Sequence, residues 1–288
     1  MQTRALETLV RINDVQSFSK AAELQNMTLS ALSMQMKALE TELGADLFDR
    51  TFRPPKLTPL GRLVADRARA LLREEQAIVG ICGTATVLHG VFQIGFVQSA
   101  SVRILPGFVR LARGHVPDAQ FRFSSALSEV LENQVAAGQI DCAVITSAGQ
   151  QEDSLRYDVI ASEVMSIAAP SVNDGANFDV LSEKLPFIHF RPSTGIGKLI
   201  AGFFRNLPPS NHPTLVLDSI ESCMECVKAG LGYTILPRPD ILRYADEHVF
   251  VTNLEKHPIS RDLVLVSRRS EPNPQWVAVV YDLLLKVA

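Results

Sequence analysis

Residues 18–40, Phe-Ser-Lys-Ala-Ala-Glu-Leu-Gln-Asn-Met-Thr-Leu-Ser-Ala-Leu-Ser-Met-Gln-Met-Lys-Ala-Leu-Glu, confine this part of the 288-residue chain to two helices joined by a short turn. Ala21, Ala22 and Leu24 give the first helix a small apolar inner face, which lets a second helix cross it closely at a steep angle. Ser17 and Thr28 stand where N-caps belong, each able to accept a backbone N–H that would otherwise lack a partner. On the second helix Leu32, Met36 and Leu39 fall at i, i+4 and i+7 and face inward, which turns Ser30, Ala31, Ser33, Met34 and Lys37 outward. Such a face suits the major groove of DNA: small residues permit close approach, Ser33 and Gln35 reach toward base edges, and Lys37 meets phosphate.

The flanking residues add weight to that reading. Gly44 reads as a helix stop, and Leu47–Arg50, the Pro54-Pro55 turn and Lys56–Thr58 read as a two-stranded wing. Arg50, Arg53 and Lys56 on the wing would lie against the phosphate backbone, so the candidate DNA-contact residues are Thr28, Ser30, Ala31, Ser33, Met34, Gln35, Lys37, Arg50, Arg53 and Lys56. A helical hairpin in an ordinary core and a solvated loop tip are the plainer alternatives. Charge is partitioned accordingly: residues 1–73 hold 11 Lys and Arg against 8 Asp and Glu, whereas the remainder holds 17 against 23. Only the N-terminal part is basic.

Thr58-Pro59 is a cap followed by proline at the first helical position, and predicts a long helix to about Val87. Val64, Ala68, Leu71, Glu75, Ile78 and Cys82 alternate spacings of four and three, the seam expected if two such helices pair into a dimer. Gly80 and Gly83 weaken its last turns and read as a hinge.

From Gly90 the pattern changes. Val91–Val97, Phe121–Phe123 and Ile140–Ile145 read as strands separated by an apolar helix through Leu111 and a second helix over Leu127–Ala137, hence β-α-β units and a mostly parallel sheet. A second unit follows, with strands at Val164–Ala169, Phe187–Phe190, Leu215–Leu217 and Thr234–Leu236, and helices near Gly197–Phe204 and Ser219–Ala229. The strand Leu263–Val266 and the helix Pro274–Val287 return to the first unit, so two sheets joined by two crossing strands would leave a cleft between them. In open parallel sheets, ligands lie beyond the carboxyl ends of strands, facing helix N-termini. That rule selects Ser99, Ser101 and Ser128, with His189, Arg191 and Ser193 from the second unit and Arg103 as a further candidate. Ser99, Ser128 and Arg191 favour a small organic anion, against the plainer reading of simple caps and a surface cation.

Four runs taken in order, Ser17–Ala22, Ala31–Glu40, Leu43–Arg50 and Leu57–Gly61, resemble the winged helix-turn-helix and linker of LysR-type transcriptional regulators over residues 3–73. Leu29 and Met34 depart from the Gln and Arg common there, which predicts altered base preference, not loss of binding. Gly230-Leu231-Gly232-Tyr233-Thr234-Ile235-Leu236-Pro237 matches a further motif of the family, read as turn and strand. Ser99 and Ser128 match its effector positions. The resemblance implies an α/β fold with an N-terminal winged helix-turn-helix (1–58), a long linker helix (59–88) and a two-subdomain effector domain (89–288) like periplasmic solute-binding proteins. Subdomain I would hold 89–161 and 267–288, and subdomain II 162–266. It also implies a homodimer or homotetramer on an interrupted palindrome in double-stranded DNA, a small-molecule co-inducer and no other cofactor, with RNA polymerase as a candidate partner.

Two rival functions stay open. Cys223 and Cys226, one helical turn apart, match an oxidation sensor but more often mark a core face, and the chain's four cysteines are too few for a disulfide framework. A stand-alone binding protein would fit the cleft, yet it would leave residues 1–58 without a use. Histidines 89, 115, 189, 212, 248 and 257 are scattered, and there is no G-x-S-x-G turn, so the chain is read as neither an enzyme nor a metal protein. No apolar run is long enough for a leader or a membrane span, which predicts a cytoplasmic protein away from membranes.

Overall fold

The computed structural model describes residues 3–82, 88, 90–147, 151–205, 215–256, 258–271 and 274–288. The chain forms two compact units, one mainly of Met1–Gly90 and one containing Val91–Val135 and Ile140–Ala288.

The first unit holds α1 (Thr3–Val15), α2 (Phe18–Leu24), α3 (Leu29–Leu43), β1 (Phe48–Asp49), β2 (Lys56–Leu57) and α4 (Pro59–Cys82). Ser17 Oγ accepts from Lys20 N–H at 3.3 Å and Thr28 Oγ1 from Ala31 N–H at 3.1 Å, so both helix starts have the caps read from sequence. Gly44 closes α3 in the left-handed conformation at φ +64°. Ala21 and Ala22 pack with Leu32, Met36 and Leu39 and with Leu6, Leu9 and Ile12 of α1. Thr58 Oγ1 accepts from Gly61 N–H at 2.9 Å to start α4, and Gly61 is required there because a Cβ would stand 2.2 Å from Leu47 O.

The pairing seam on α4 is corrected at two of its positions. Ala68 is buried in the unit's own core with Val64 packed against it, and Arg69 ties the helix to Asp14 of α1. At Val64 and Ala68 the spacing that reads as a dimer seam serves α1 instead. Among the described side chains of α4, Leu71 of that seam stays exposed, with Leu60 and Leu63 beside it. Of the proposed hinge, Gly80 lies within α4, while Gly83 and the side chains of Ile78 and Cys82 lie outside the described residues.

The second unit runs β3 (Gly90–Phe96), α5 (Gln98–His115), β4 (Ala119–Ser125), α6 (Ser128–Ala136), β5 (Cys142–Ser147), β6 (Leu155–Pro170), a 3-10 turn at Ser171–Asn173, α7 (Phe178–Lys184) and β7 (Ile188–Phe190). It continues with α8 (Gly195–Arg205), β8 (Leu215–Leu217), α9 (Ile220–Lys228), β9 (Thr234–Pro237), α10 (Arg238–Tyr244), β10 (Val249–Asn253), β11 (Ser260–Arg268) and α11 (Pro274–Leu285). Strands are ordered β10-β6-β11-β5-β3-β4, with β9 also on β6, and β7 pairs with β8 in a separate parallel sheet. The sheet is mixed: parallel between β3 and β5, where the β-α-β reading placed it, and antiparallel around β6 and β11. β3–β5 and β7–β8 are parallel, whereas β6 runs antiparallel to β9, β10 and β11, and β11 antiparallel to β5.

β6 is the structural spine of this unit. Its first half pairs with β11, and its second half lies between β9 and β10, so one continuous strand carries the chain from the first subdomain into the second. The boundary expected at 161/162 falls inside it. Phe96, Phe108, Phe121 and Phe123 interlock on one side, while Met165, Ile167, Phe187, Ile188, Tyr233 and Ile235 form the core of the other.

At this junction four charges are buried together. Arg261 on β11, wholly buried, donates from Nε to Glu163 Oε2 on β6 at 2.8 Å and stands 3.3 Å from Asp240 on α10. Arg103 on α5 pairs with the same Glu163 and stands 3.4 Å from Asp240. Burial pushes the Asp240 carboxyl up, with the two guanidinium groups opposing that rise. Two cations and two anions balance, so removing one member leaves an uncompensated buried charge. Glu163→Ala should lower stability by about 3–5 kcal/mol in urea unfolding, and a loss within about 1 kcal/mol would show that the network is not required.

Candidate functional site

Two regions carry the expected chemistry, one in each unit. In the first, Thr28, Ser30, Ala31, Ser33, Met34 and Lys37 are exposed on α3, whose opposite face is buried through Leu32, Met36 and Leu39. Leu29 and Met34 are exposed large apolar residues on that same surface, Met34 to 71%. Gln35 is only half exposed, and its Oε1 is buried without a hydrogen-bond partner, which places it at the margin of this face. Thr28 spends its hydroxyl oxygen on the cap. On the wing, Arg53 is exposed and Lys56 Nζ stands 4.7 Å from the centre of the Phe52 ring.

Arg50 is more constrained than its sequence context suggests. Its Nη2 donates to Glu40 Oε2 at 2.6 Å, and the other oxygen of that buried carboxylate accepts from Leu47 N–H at 2.8 Å and Phe48 N–H at 3.0 Å. One carboxylate on α3 thereby anchors the wing to the helix that carries the polar face. Glu40 stands four residues after Met36 and eight after Leu32, so it falls on the buried face of α3, where a carboxylate needs the partners it has here.

In the second unit a cavity of about 250 Å³ opens between the two subdomains. Its walls are the carboxyl ends of strands and the helices that follow: Val97, Gln98 and Ser99 after β3, Ser125 and Ser128 after β4, Thr146 at the end of β5, Phe190 and Arg191 after β7, and Asp218 after β8. The N-termini of α5, α6 and α8 all meet it, which gives the cleft free N–H groups and partial positive charge. Close approach across the cleft depends on Gly195, where a Cβ would come within 2.7 Å of Thr146 Cβ. An exposed ion pair between Lys198 of α8 and Glu129 of α6 links the same walls.

Of the effector candidates, Ser99, Ser128 and Arg191 line this cavity, and Ser101, Arg103, His189 and Ser193 do not. Arg103 lies a turn and a half into α5, where its guanidinium is committed to Glu163 and Asp240. Ser101 donates to Gln98 O at 2.8 Å within its own helix. His189 points from β7 opposite to Phe190, its Nδ1 2.6 Å from Phe190 O and its ring against Phe187. Ser193 accepts from Arg191 Nε at 3.1 Å. Thr146, Ser125 and Asp218 escaped sequence reading, although each follows the rule that ligands sit beyond strand carboxyl ends.

Hydroxyl polarity on the cavity wall is settled by the neighbours. Arg261 Nη1 donates to Ser99 Oγ at 2.9 Å, and because a guanidinium only donates, Ser99 keeps its own hydrogen for the cleft. Ser128 Oγ instead donates to Thr146 O at 3.3 Å and leaves lone pairs free. Thr194 is saturated, donating to Arg191 O at 2.8 Å and accepting from Gly197 N–H at 2.9 Å.

A family model described as the LysR substrate binding domain matches residues 85–288, and one described as the bacterial regulatory helix-turn-helix protein, lysR family, matches residues 3–62. The chain belongs to the LysR family. Its relatives in that family include the HTH-type transcriptional regulator EstR of Acinetobacter baylyi, 28% identical over 99% of this chain and 96% of that one. The DNA-binding transcriptional dual regulator OxyR of Escherichia coli K12 is 26% identical, covering 94% and 91%. Among solved structures, a full-length OxyR variant from Pseudomonas aeruginosa has a TM-score of 0.76 at 20% identity, with 100% of this chain and 99% of that one covered. Full-length CbnR complexed with its target DNA has a TM-score of 0.63 at 17% identity, with both chains wholly covered. The winged helix-turn-helix and the two-subdomain LysR fold follow from these matches together with the architecture above, and the protein is a LysR-type DNA-binding transcription regulator.

Among the described residues no helix is long and apolar enough to cross a membrane, and no cluster of three His, Cys, Asp or Glu could hold a metal ion. Gly195→Ala should overpack the contact with Thr146 and lower stability by about 1–3 kcal/mol in denaturant unfolding, whereas an unchanged midpoint would mean that the subdomain walls yield freely there.

Proposed function

We propose that this LysR-type regulator reads an interrupted palindrome as a homodimer or homotetramer and responds to a small organic anion in the cleft between its subdomains. The observation that carries the DNA reading is the exposed face of α3, where Ser30, Ala31, Ser33 and Met34 form a short, adaptable surface beside Lys37. Arg53 and Lys56 on the wing would add phosphate contacts, with Arg50 serving both Glu40 and the backbone of DNA. Leu60, Leu63 and Leu71 would pair two copies along α4. Ser99, Ser128 and Arg191 are the effector contacts, and ligand held by both subdomain walls would favour one packing of the subdomains over another. RNA polymerase is the partner through which a regulator placed at a promoter would act.

A second reading, oxidation sensing through Cys223 and Cys226, draws on relatives named hydrogen peroxide-inducible genes activator, such as that of Pectobacterium carotovorum at 25% identity. Thiolate chemistry weighs against it. Cys223 is wholly buried in α9 and burial pushes its thiol up to about 12, while buried Cys142 is also raised; neither of these nor Cys226 lines the cleft. Thiol labelling before and after peroxide should therefore find Cys223 inert, and loss of both the Cys223 and Cys226 thiols on peroxide treatment would reinstate sensing.

Purified protein mixed with sheared DNA from its own genome should retain a few palindromic sites. Lys37→Ala should weaken every site and reduce the salt slope by about one, whereas Ser33→Ala should alter base preference at one position of each half-site. Uniform retention of all sequences would overturn the specific-regulator reading.

A further inference from the structure

β7 and β8 are parallel and in register at Phe190 and Leu217, so Arg191 and Asp218 follow side by side at their carboxyl ends, where Arg191 N–H donates to Leu217 O at 2.8 Å. Both line the cleft. Neighbouring opposite charges on a surface commonly pair, yet Arg191 Nε turns to Ser193 Oγ, and among the described residues neither Arg191 nor Asp218 has an ion-pair partner. One small cavity thus offers an unpaired cation and an unpaired anion about one strand spacing apart at the backbone, roughly 5 Å. A plain carboxylate would satisfy Arg191, the Ser99 hydroxyl and the helix N-termini, but would leave the Asp218 carboxylate facing a like charge.

Resting on the effector reading of this cleft, we propose that its ligand is a small zwitterion of the α-amino acid type. The carboxylate takes the donors of Arg191, Ser99 O–H and the N–H groups opening α5 and α6. The ammonium takes Asp218, with the free lone pairs of Ser128 Oγ as a further acceptor on the opposite wall. The volume of about 250 Å³ lies below the usual range for drug-sized ligands and sets the size class.

The test is calorimetric titration of the full-length protein with the common L-amino acids and with the matching acids that lack the amine, such as 3-phenylpropionate beside phenylalanine and 4-methylpentanoate beside leucine. At least one amino acid should bind, about tenfold or more tighter than its desamino partner. Asp218→Asn should erase most of that ratio by weakening the amino acid alone, while Arg191→Gln weakens both, and circular dichroism should show both variants folded. Equal or tighter binding of the desamino acids, an unchanged ratio in Asp218→Asn, or no binding in either series would overturn the zwitterion. Binding of desamino acids without amine preference would leave the effector reading of the cleft standing, and failure of that reading would show instead as binding undiminished from wild type when Ser99, Ser128 and Arg191 are all replaced.

Discussion

Arg261 is the residue on which the second unit depends. Its guanidinium is sealed from water, holds Glu163 across the two strands at the subdomain junction, approaches Asp240 on α10 and reaches Ser99 at the start of α5. Such a group is expensive to bury and tolerable because Glu163 and Ser99 accept from it and Asp240 balances its charge. The same arrangement is therefore specific: β6, β11, α5 and α10 have one mutual position in which the two guanidinium and two carboxylate groups balance. Apolar packing on either side of the junction supplies the greater driving force, but it tolerates sliding in a way that this network does not.

The first unit solves a smaller version of the same problem. Glu40 is buried on α3 and accepts two backbone N–H groups from the entrance to the wing as well as the Arg50 guanidinium. A wing of two-residue strands has almost no ladder of its own to fix its position. Tying it to α3 by one carboxylate means that the polar helix face and the cationic loop move as one piece, as a surface must if it is to meet base edges and phosphates in register.

Much of this was legible in the sequence, and the failures have physical causes. The caps at Ser17 and Thr28, the stop at Gly44 and the proline-started α4 are local signals, and local structure obeyed them. Val64 and Ala68 misled because a spacing of four suits any apolar neighbour, and α1 of the same unit supplied one. β6 was read only in its continuous apolar half, Val164–Ala169; from Leu155 to Glu163 it mixes buried and exposed positions and lacks the uniform apolar run of a central strand. α10 has no counterpart among the elements read from sequence, although Pro239 in its first turn is compatible with a helix start. Among site residues, Ser99, Ser128 and Arg191 followed from strand ends and helix starts, whereas Arg103 was drawn to partners whose positions depend on β6 and α10, elements that periodicity alone did not place together.

One consequence joins the junction to the cleft. Ser99 presents a hydrogen to the cavity only because Arg261 donates to its oxygen, and Arg261 holds that pose only because Glu163 and Asp240 balance its charge. The polarity of a wall hydroxyl is thus decided by a network about the subdomain junction, and not by the serine itself. Any change that tilts the second subdomain about β6 must reposition Arg261 or Asp240, and so alter what Ser99 offers a ligand. The converse holds by linkage: a ligand that engages Ser99 as an acceptor favours the arrangement of β6, β11, α5 and α10 in which Arg261 stays in place. Binding and subdomain geometry are thereby linked through one serine oxygen and the guanidinium that donates to it.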